Sequence, residues 1–239
     1  MKPGWFVSTF LWVGLVLPGL GSADGTLTDL PPIGENTIRM IVVRHGEALS
    51  NVAHEPGMTE AQLDHLTDLG KRQAEAVGRA LAGQPVVAIF TSEAQRAFET
   101  MEASGLAESK GLAIQKNAAF NKMAVGNKED GSPADFDWRI ELWKKGGDPK
   151  PAGGESLADA VQRLVTAVKG LNYAYGKAVV IVTHGDIVAG LAGSADAVPA
   201  WNRWEKYQAG HGSITVIDVE KDGPLVPRAF NIPPRVIEK

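Results

Sequence analysis

Four short blocks of the chain are apolar at nearly every position: IRMIVV (38–43), PVVAIF (85–90), AVVIVT (178–183) and SITVIDV (213–219). They are rich in Val and Ile and end at turn-forming or polar residues, which predicts strands. Because hydrophobicity in them barely alternates, the strands are expected to be buried on both faces. A shorter block, LAIQ (112–115), predicts a minor strand.

Between these blocks the apolar period changes to that of a helix. Over 66–83, Ala74, Val77 and Leu81 recur at helical spacing behind a candidate N-cap at Thr67, with Asp68 in the first turn. A second helix is expected from about 93 to a stop at Gly111, and a short one over FDWRIELW (136–143). The longest helix signal covers 156–176, where Leu157, Val161, Leu164, Val165, Val168 and Leu171 form one apolar face. Ser156 and Asp159 stand three apart there, as in a capping box. A further helix is expected over 186–192, and the proline-bearing tail, 221–239, reads as irregular.

Strands alternating with helices predict an α/β fold of three layers, a mainly parallel central sheet with helices on both faces. No linker divides 38–220, so this span reads as one domain, with 24–37 (DGTLTDLPPIGENT) as a polar linker ahead of it. The first 23 residues follow another pattern. Lys2 is followed by an apolar run, Trp5–Leu17, then Pro18 and small residues, with Gly21 and Ala23 placed as at a cleavage site. That is the layout of a secretory signal peptide, and the run is shorter than the ~20 residues a spanning helix needs. The expectation is a secreted or periplasmic protein with no stable membrane insertion after cleavage.

Composition narrows the chemistry. A net charge of −4 offers no general basic field, so nucleic acid is not an expected partner, and an anionic ligand must be held by local cations. The chain has no cysteine, which excludes thiol nucleophiles, disulfides and zinc–thiolate sites.

Local cations occur where strands end. IVV runs into Arg44-His45-Gly46, VIVT runs into His184-Gly185, and VVAIF leads to Thr91-Ser92 with Arg96 just beyond. Ligands of α/β sheets sit beyond the carboxyl ends of strands, so two histidines and two arginines are expected on one rim. Guanidinium groups match phosphate oxygens, one imidazole can attack phosphorus, and the other can bind a non-bridging oxygen. His54 and His65 lie in a polar stretch and read as solvated. His211 carries no assignment, and Trp138, Trp143, Trp201 and Trp204 are candidates to line a pocket.

These motifs resemble the histidine phosphatase superfamily, in its phosphoglycerate-mutase-like branch. Arg44-His45-Gly46-Glu47 with Asn51 is similar to the opening motif, LTDLGKRQA (66–74) to the segment downstream, and TSEAQRAFET (91–100) to the arginine-bearing segment. GGES (153–156) and VTHGD (182–186) are similar to the last two signatures, so the resemblance runs in order from about 38 to 219. It implies that His45 is a nucleophile forming a phosphohistidine, and that Arg44, Arg96 and His184 bind the phosphoryl oxygens. It also implies that no metal or other cofactor is required and that the substrate is a phosphorylated small molecule. Asn51, Gly185 and Glu155 are carried over as substrate-binding candidates.

The pattern breaks at the general acid. The family's glutamate falls here on Asn121 or Lys122, in AAFNKMAVGNKEDGS (118–132). An amide does not titrate, and the ordinary pKa of lysine is about 10.4. The acid has then moved, with Glu129, Asp130, Asp135, Asp137 and Asp186 as candidates, or the substrate has a good leaving group. Otherwise the chain is a phosphate-ligand-binding protein of weak turnover. A mutase is a lesser alternative, because the longer Arg- and Tyr-rich segment expected around its acid is not found. Lys122 is expected at the pocket rim, favouring polyanionic substrates. The sequence leaves oligomeric state open.

Overall fold

The computed structural model describes residues 27–237. The signal-peptide pattern at 1–23 lies outside the described residues. Six strands form one sheet: β1 (Thr37–Arg44), β2 (Val86–Thr91), β3 (Ile114–Lys116), β4 (Lys177–Thr183), β5 (Ile214–Glu220) and β6 (Leu225–Ile232). Their order is β3-β2-β4-β1-β5-β6. The first four are mutually parallel, while β5 runs antiparallel to β1 and β6 antiparallel to β5.

Among the described residues the helices are α1 (Glu60–Leu63), α2 (Asp68–Leu81), α3 (Gln95–Ala103), α4 (Leu106–Lys110), α5 (Phe136–Lys144), α6 (Leu157–Lys169), α7 (Gly185–Ala195) and α8 (Ala200–Lys206). The pleat explains the unbroken apolar strands. Met40 and Val42 of β1, with Val179 and Ile181 of β4, enter a core covered by α6 and α7. Ile41 and Val43, with Val180 and Val182, enter a second core covered by α2, α3 and α4. Each strand buries both sets of side chains, as a central parallel strand must.

Caps agree with the sequence. The Thr67 hydroxyl accepts from the Gly70 amide, and Ser156 and Asp159 form their reciprocal box. Two boundaries differ, and α8 was not expected. The helix expected from about 93 to 111 breaks at Ser104-Gly105, where Gly105 takes a φ of 66°. The helix expected over 156–176 stops at Lys169, because Gly170 is a poor helix residue, and Asn172–Ala174 makes a 3-10 turn instead. α8 is seven residues long, too short to show a period.

The tail was expected to be irregular, and this is corrected: Leu225–Ile232 is a strand. Its Pro227 is tolerated because β6 is an edge strand, where a missing N–H leaves no ladder bond unmade. The stretch read as linker also packs in part, since Leu27 is buried in the second core and Leu30 and Ile33 lie against it.

Candidate active site

Strand register builds the site. Arg44 pairs with Thr183 across β1 and β4, and Thr91 pairs with Val182 across β2 and β4. Three carboxyl ends are therefore level, and the residues just beyond them, His45, Ser92 and His184, meet. β5 contributes from its amino end, because Val43 faces Ile214 in an antiparallel pair. That orientation brings His211 to the same rim.

The turn at His45 is held from several sides. The His45 amide donates to the Thr183 carbonyl at 3.0 Å. The Gly46 amide donates to Thr100 Oγ1 at 2.9 Å, and the Glu47 amide to Gln73 Oε1 at 2.8 Å. Helix α2 lies so close that a Cβ on Gly70 would stand 2.0 Å from the Glu47 carbonyl oxygen.

The imidazole tautomers follow from their partners. His45 Nδ1 lies 2.8 Å from the Gly46 carbonyl oxygen, which can only accept, so Nδ1 carries the proton and Nε2 the lone pair. Arg96 donates through Nε to that Nε2 at 3.2 Å. Through Nη2 it donates to His184 Nδ1 at 3.2 Å, and through Nη1 it pairs with Asp64 in a short contact. His184 Nδ1 is then an acceptor, and its Nε2 donates to Ser92 Oγ at 2.9 Å. Arg44 donates to the Ala209 carbonyl at 2.5 Å and to His211 Nε2 at 2.7 Å, while its Nε is buried with no hydrogen-bond partner among the described residues. The His45 ring centroid lies 5.2 Å from that of His184 and 5.6 Å from that of His211.

Burial sets the charges. His45 is held well below the ordinary imidazole pKa of 6.5, first by burial and then by His184 and Arg96. His184 is lowered in the same way by burial and by the Arg96, Lys122 and Arg44 cations. His211 is lowered to about 4, by burial and then by Arg44. Burial lowers Arg44 as well, though a guanidinium remains a cation at neutral pH. The result is neutral imidazoles between two guanidinium groups.

A cavity of about 630 Å³ opens beside Arg96 and His184, with walls that include Asp64, Glu93, Asn121 and Lys122. Among the described residues, no three His, Asp or Glu side chains are grouped to hold a metal ion. No described helix is long and apolar enough to cross a membrane.

The structure brings together Arg44, His45, Arg96 and His184, with Lys122 exposed on the cavity wall. Three other substrate-binding candidates do not line this cavity. Asn51 is exposed and uses Oδ1 to accept from the Ala48 amide at 3.0 Å, so it holds its own loop. Glu155 is tied to Arg163 at 2.8 and 2.9 Å and accepts from the Ala124 amide, so it supports the cavity wall without lining it. At Gly185 a Cβ would stand 3.3 Å from Arg44 Nε, so this glycine makes room for the guanidinium.

None of the five acids proposed from sequence lines the cavity. Asp186 is buried with a raised pKa, and its carboxylate accepts the Met123 amide at 2.7 Å. Asp135 caps α5, Asp130 bonds Ser132, and Glu129 and Asp137 are exposed. Sequence reasoning missed Asp64, Ser92 and His211 at the site. A Thr59–Gln62 capping box does announce the small helix that delivers Asp64. Trp143, Trp201 and Trp204 line a separate cavity of about 700 Å³, whereas Trp138 does not.

Comparison with known proteins agrees with this architecture. Residues 40–232 match the family described as histidine phosphatase superfamily (branch 1). A 2,3-bisphosphoglycerate-dependent phosphoglycerate mutase of Methylocella silvestris is 34% identical over 169 residues, covering 64% of this chain and 78% of the relative. A glucosyl-3-phosphoglycerate phosphatase of Mycobacterium tuberculosis is 28% identical over 178 residues, covering 69% and 78%. Among solved structures, a phosphoserine phosphatase of Entamoeba histolytica superposes with a TM-score of 0.62 at 22% identity, over 81% of this chain and 96% of that one. With the family matched along most of its length, over the very strands that carry Arg44, His45 and His184, this chain belongs to the histidine phosphatase superfamily, branch 1.

Proposed function

We propose that the protein is a metal-independent phosphohydrolase that cleaves phosphate esters or anhydrides through a phosphohistidine on His45. The observation that carries this reading is the His45 tautomer, with Nδ1 spent on the Gly46 carbonyl and Nε2 facing Arg96. A neutral, oriented lone pair beside a guanidinium is what attack on a phosphoryl group requires. Arg96, His184 and Arg44 then meet the charge that develops on the non-bridging oxygens. Arg44 Nε is a buried donor without a partner among the described residues, a costly state that an anionic oxygen would relieve. Water next attacks the phosphohistidine and releases inorganic phosphate, so one hard displacement becomes two easier ones.

Relatives named as phosphatases support hydrolysis, and the relative named as a mutase keeps phosphoryl transfer to a second acceptor as the lesser reading. Exposed Lys122 on the cavity wall favours substrates carrying a second anion. In that case Lys122→Ala raises KM for a bisphosphate or phosphocarboxylate substrate and leaves a simple monoester unchanged. A KM that Lys122→Ala leaves unchanged for every phosphorylated substrate tried would remove the idea.

The N-terminal pattern supports export to the periplasm or the medium, which cell fractionation and N-terminal sequencing of the exported chain would test. Activity is tested by kcat/KM on an aryl phosphate, with His45→Ala as the blank. Turnover that vanishes in the blank, with an acid-labile phosphoryl adduct trapped on the wild type, is the expected result. Binding of phosphate without turnover above the blank would instead make the protein a phosphate-ligand binder.

A further inference from the structure

The phosphohydrolase reading leaves one proton unassigned, the one that the departing alkoxide must take up. Three carboxylates line the cavity beside Arg96 and His184: Glu60, Asp64 and Glu93. Asp64 is committed, with one oxygen paired to Arg96 and the other accepting the Gln95 amide at 2.7 Å. It could give up a proton only by releasing the arginine that holds the substrate. Glu60 opens the four-residue α1, and its carboxylate has no hydrogen bond or ion pair among the described residues to fix it toward the phosphoryl-binding groups.

Glu93 is placed differently. It follows Ser92, whose hydroxyl touches His184, and it precedes Arg96 by three residues. It is therefore rooted between the two groups that hold the phosphoryl oxygens. Asn121 fixes it from across the cavity wall, donating from Nδ2 to Glu93 Oε2 at 2.9 Å while its Oδ1 accepts from the Glu93 amide at 2.8 Å. An amide N–H on Oε2 requires that oxygen to accept, so a proton on this carboxyl group resides on Oε1, which has no partner among the described residues.

On these contacts, and resting on the phosphohydrolase reading above, we propose that Glu93 is the proton donor to the leaving group, with Asn121 as the residue that positions it. As His45 Nε2 bonds to phosphorus, the phosphorus–oxygen ester bond breaks and the Glu93 proton passes to the ester oxygen, which leaves as an alcohol. In the second step the Glu93 carboxylate takes a proton from the attacking water. The phosphorus–nitrogen bond breaks, phosphate departs, and both residues return to their starting states.

The test uses the full chain and two substrates, 4-nitrophenyl phosphate and glycerol 3-phosphate. The phenolate leaves unaided, whereas the alkoxide needs a proton. Glu93→Gln is expected to lower kcat/KM on the alkyl ester by about 10²–10⁴-fold, the usual worth of a general acid, and on the aryl ester by less than about tenfold. Glu93→Asp should recover part of the alkyl activity. Asp64→Asn, acting through Arg96, should lower both substrates alike. An unchanged alkyl-to-aryl ratio in Glu93→Gln, with His45 still essential, would overturn the assignment and leave the phosphohydrolase reading standing. Aryl turnover that survives His45→Ala would overturn that reading, and the role of Glu93 with it.

Discussion

Arg96 donates from Nε to Nε2 of His45 at 3.2 Å, so the guanidinium and the imidazole lone pair share one fixed geometry. The other two nitrogens of Arg96 reach His184 and Asp64. Three partners for one side chain demand a planar fork, and an ammonium cannot provide one. Arg96→Lys is therefore expected to lower kcat/KM on an aryl phosphate by about 10²–10³-fold, the scale of a lost transition-state donor. Steady-state kinetics measures this directly. A loss below about threefold would show that one positive charge suffices, whatever its shape.

The buried imidazoles give a pH signature. Folded His45 and His184 bind a proton only well below pH 6.5, so both imidazoles stay neutral as the medium turns acid. Aryl phosphatase activity should persist below pH 6.5 and fall only at lower pH. For stability the sign is the reverse of a paired histidine. Between pH 6.5 and about 4 the unfolded chain holds a proton on His211 that the folded chain refuses, so acidification across that window favours unfolding. His45 and His184 add in the same direction. Urea midpoints at pH 7 and pH 5 should drop together with pH, and the drop should shrink in His211→Asn. A midpoint that rises on acidification would contradict the burial of these rings.

Much of this arrangement is legible in the sequence, and the exceptions share a cause. Apolar blocks located β1, β2, β4 and β5 because central strands bury both faces, and strand ends located Arg44, His45 and His184 because α/β sheets present ligands there. A hydrophobic pattern carries no strand direction. His211 therefore drew no assignment, since it stands at the amino end of β5 and reaches the rim only because β5 runs antiparallel to β1. β6 was hidden by Pro227, which an edge strand tolerates, and by the prolines that flank it. Glu155 and Asn51 lie in the matching motifs, and their side chains also bond Arg163 and the Ala48 amide, a pairing that spacing does not reveal.

Two glycines on or beside α2 should respond oppositely to an added methyl group. A Cβ on Gly70 would overlap the Glu47 carbonyl at 2.0 Å, so helix and catalytic turn would have to separate. Gly70→Ala is expected to cost about 1–3 kcal/mol, as overpacking does, and to depress turnover through the displaced His45. Around Gly83 a Cβ would meet nothing within 4 Å, and the backbone there has no positive φ. Gly83→Ala should stabilise by about 0.4–1 kcal/mol, by restricting the unfolded chain. Urea unfolding of the two variants tests the close approach of α2 to the site.

The wall that carries Asn121 and Lys122 is clamped from α6 by Arg163. Arg163 donates to Glu155 at 2.8 and 2.9 Å and to the carbonyls of Ala118, Ala119 and Asn121 at 3.1, 2.8 and 3.3 Å. Glu155 in turn accepts the Ala124 amide at 3.2 Å, and Arg163 holds its carboxyl group below the ordinary range. One ion pair thus ties both ends of the segment 118–124 to α6. Arg163→Ala leaves several carbonyls and a partly buried carboxylate without their donor, which should cost about 1–3 kcal/mol. Glu155→Gln keeps an acceptor for Ala124 and should cost less. A cycle of Arg163→Ala, Glu155→Ala and the double variant should show a coupling of about 0.5–3 kcal/mol, as neighbours in one network do. Because the clamp sets Asn121 and, through it, Glu93, turnover of an alkyl phosphate should fall further than that of an aryl phosphate in Arg163→Ala. Equal losses on both substrates would mean that the clamp stabilises the fold without shaping the cavity.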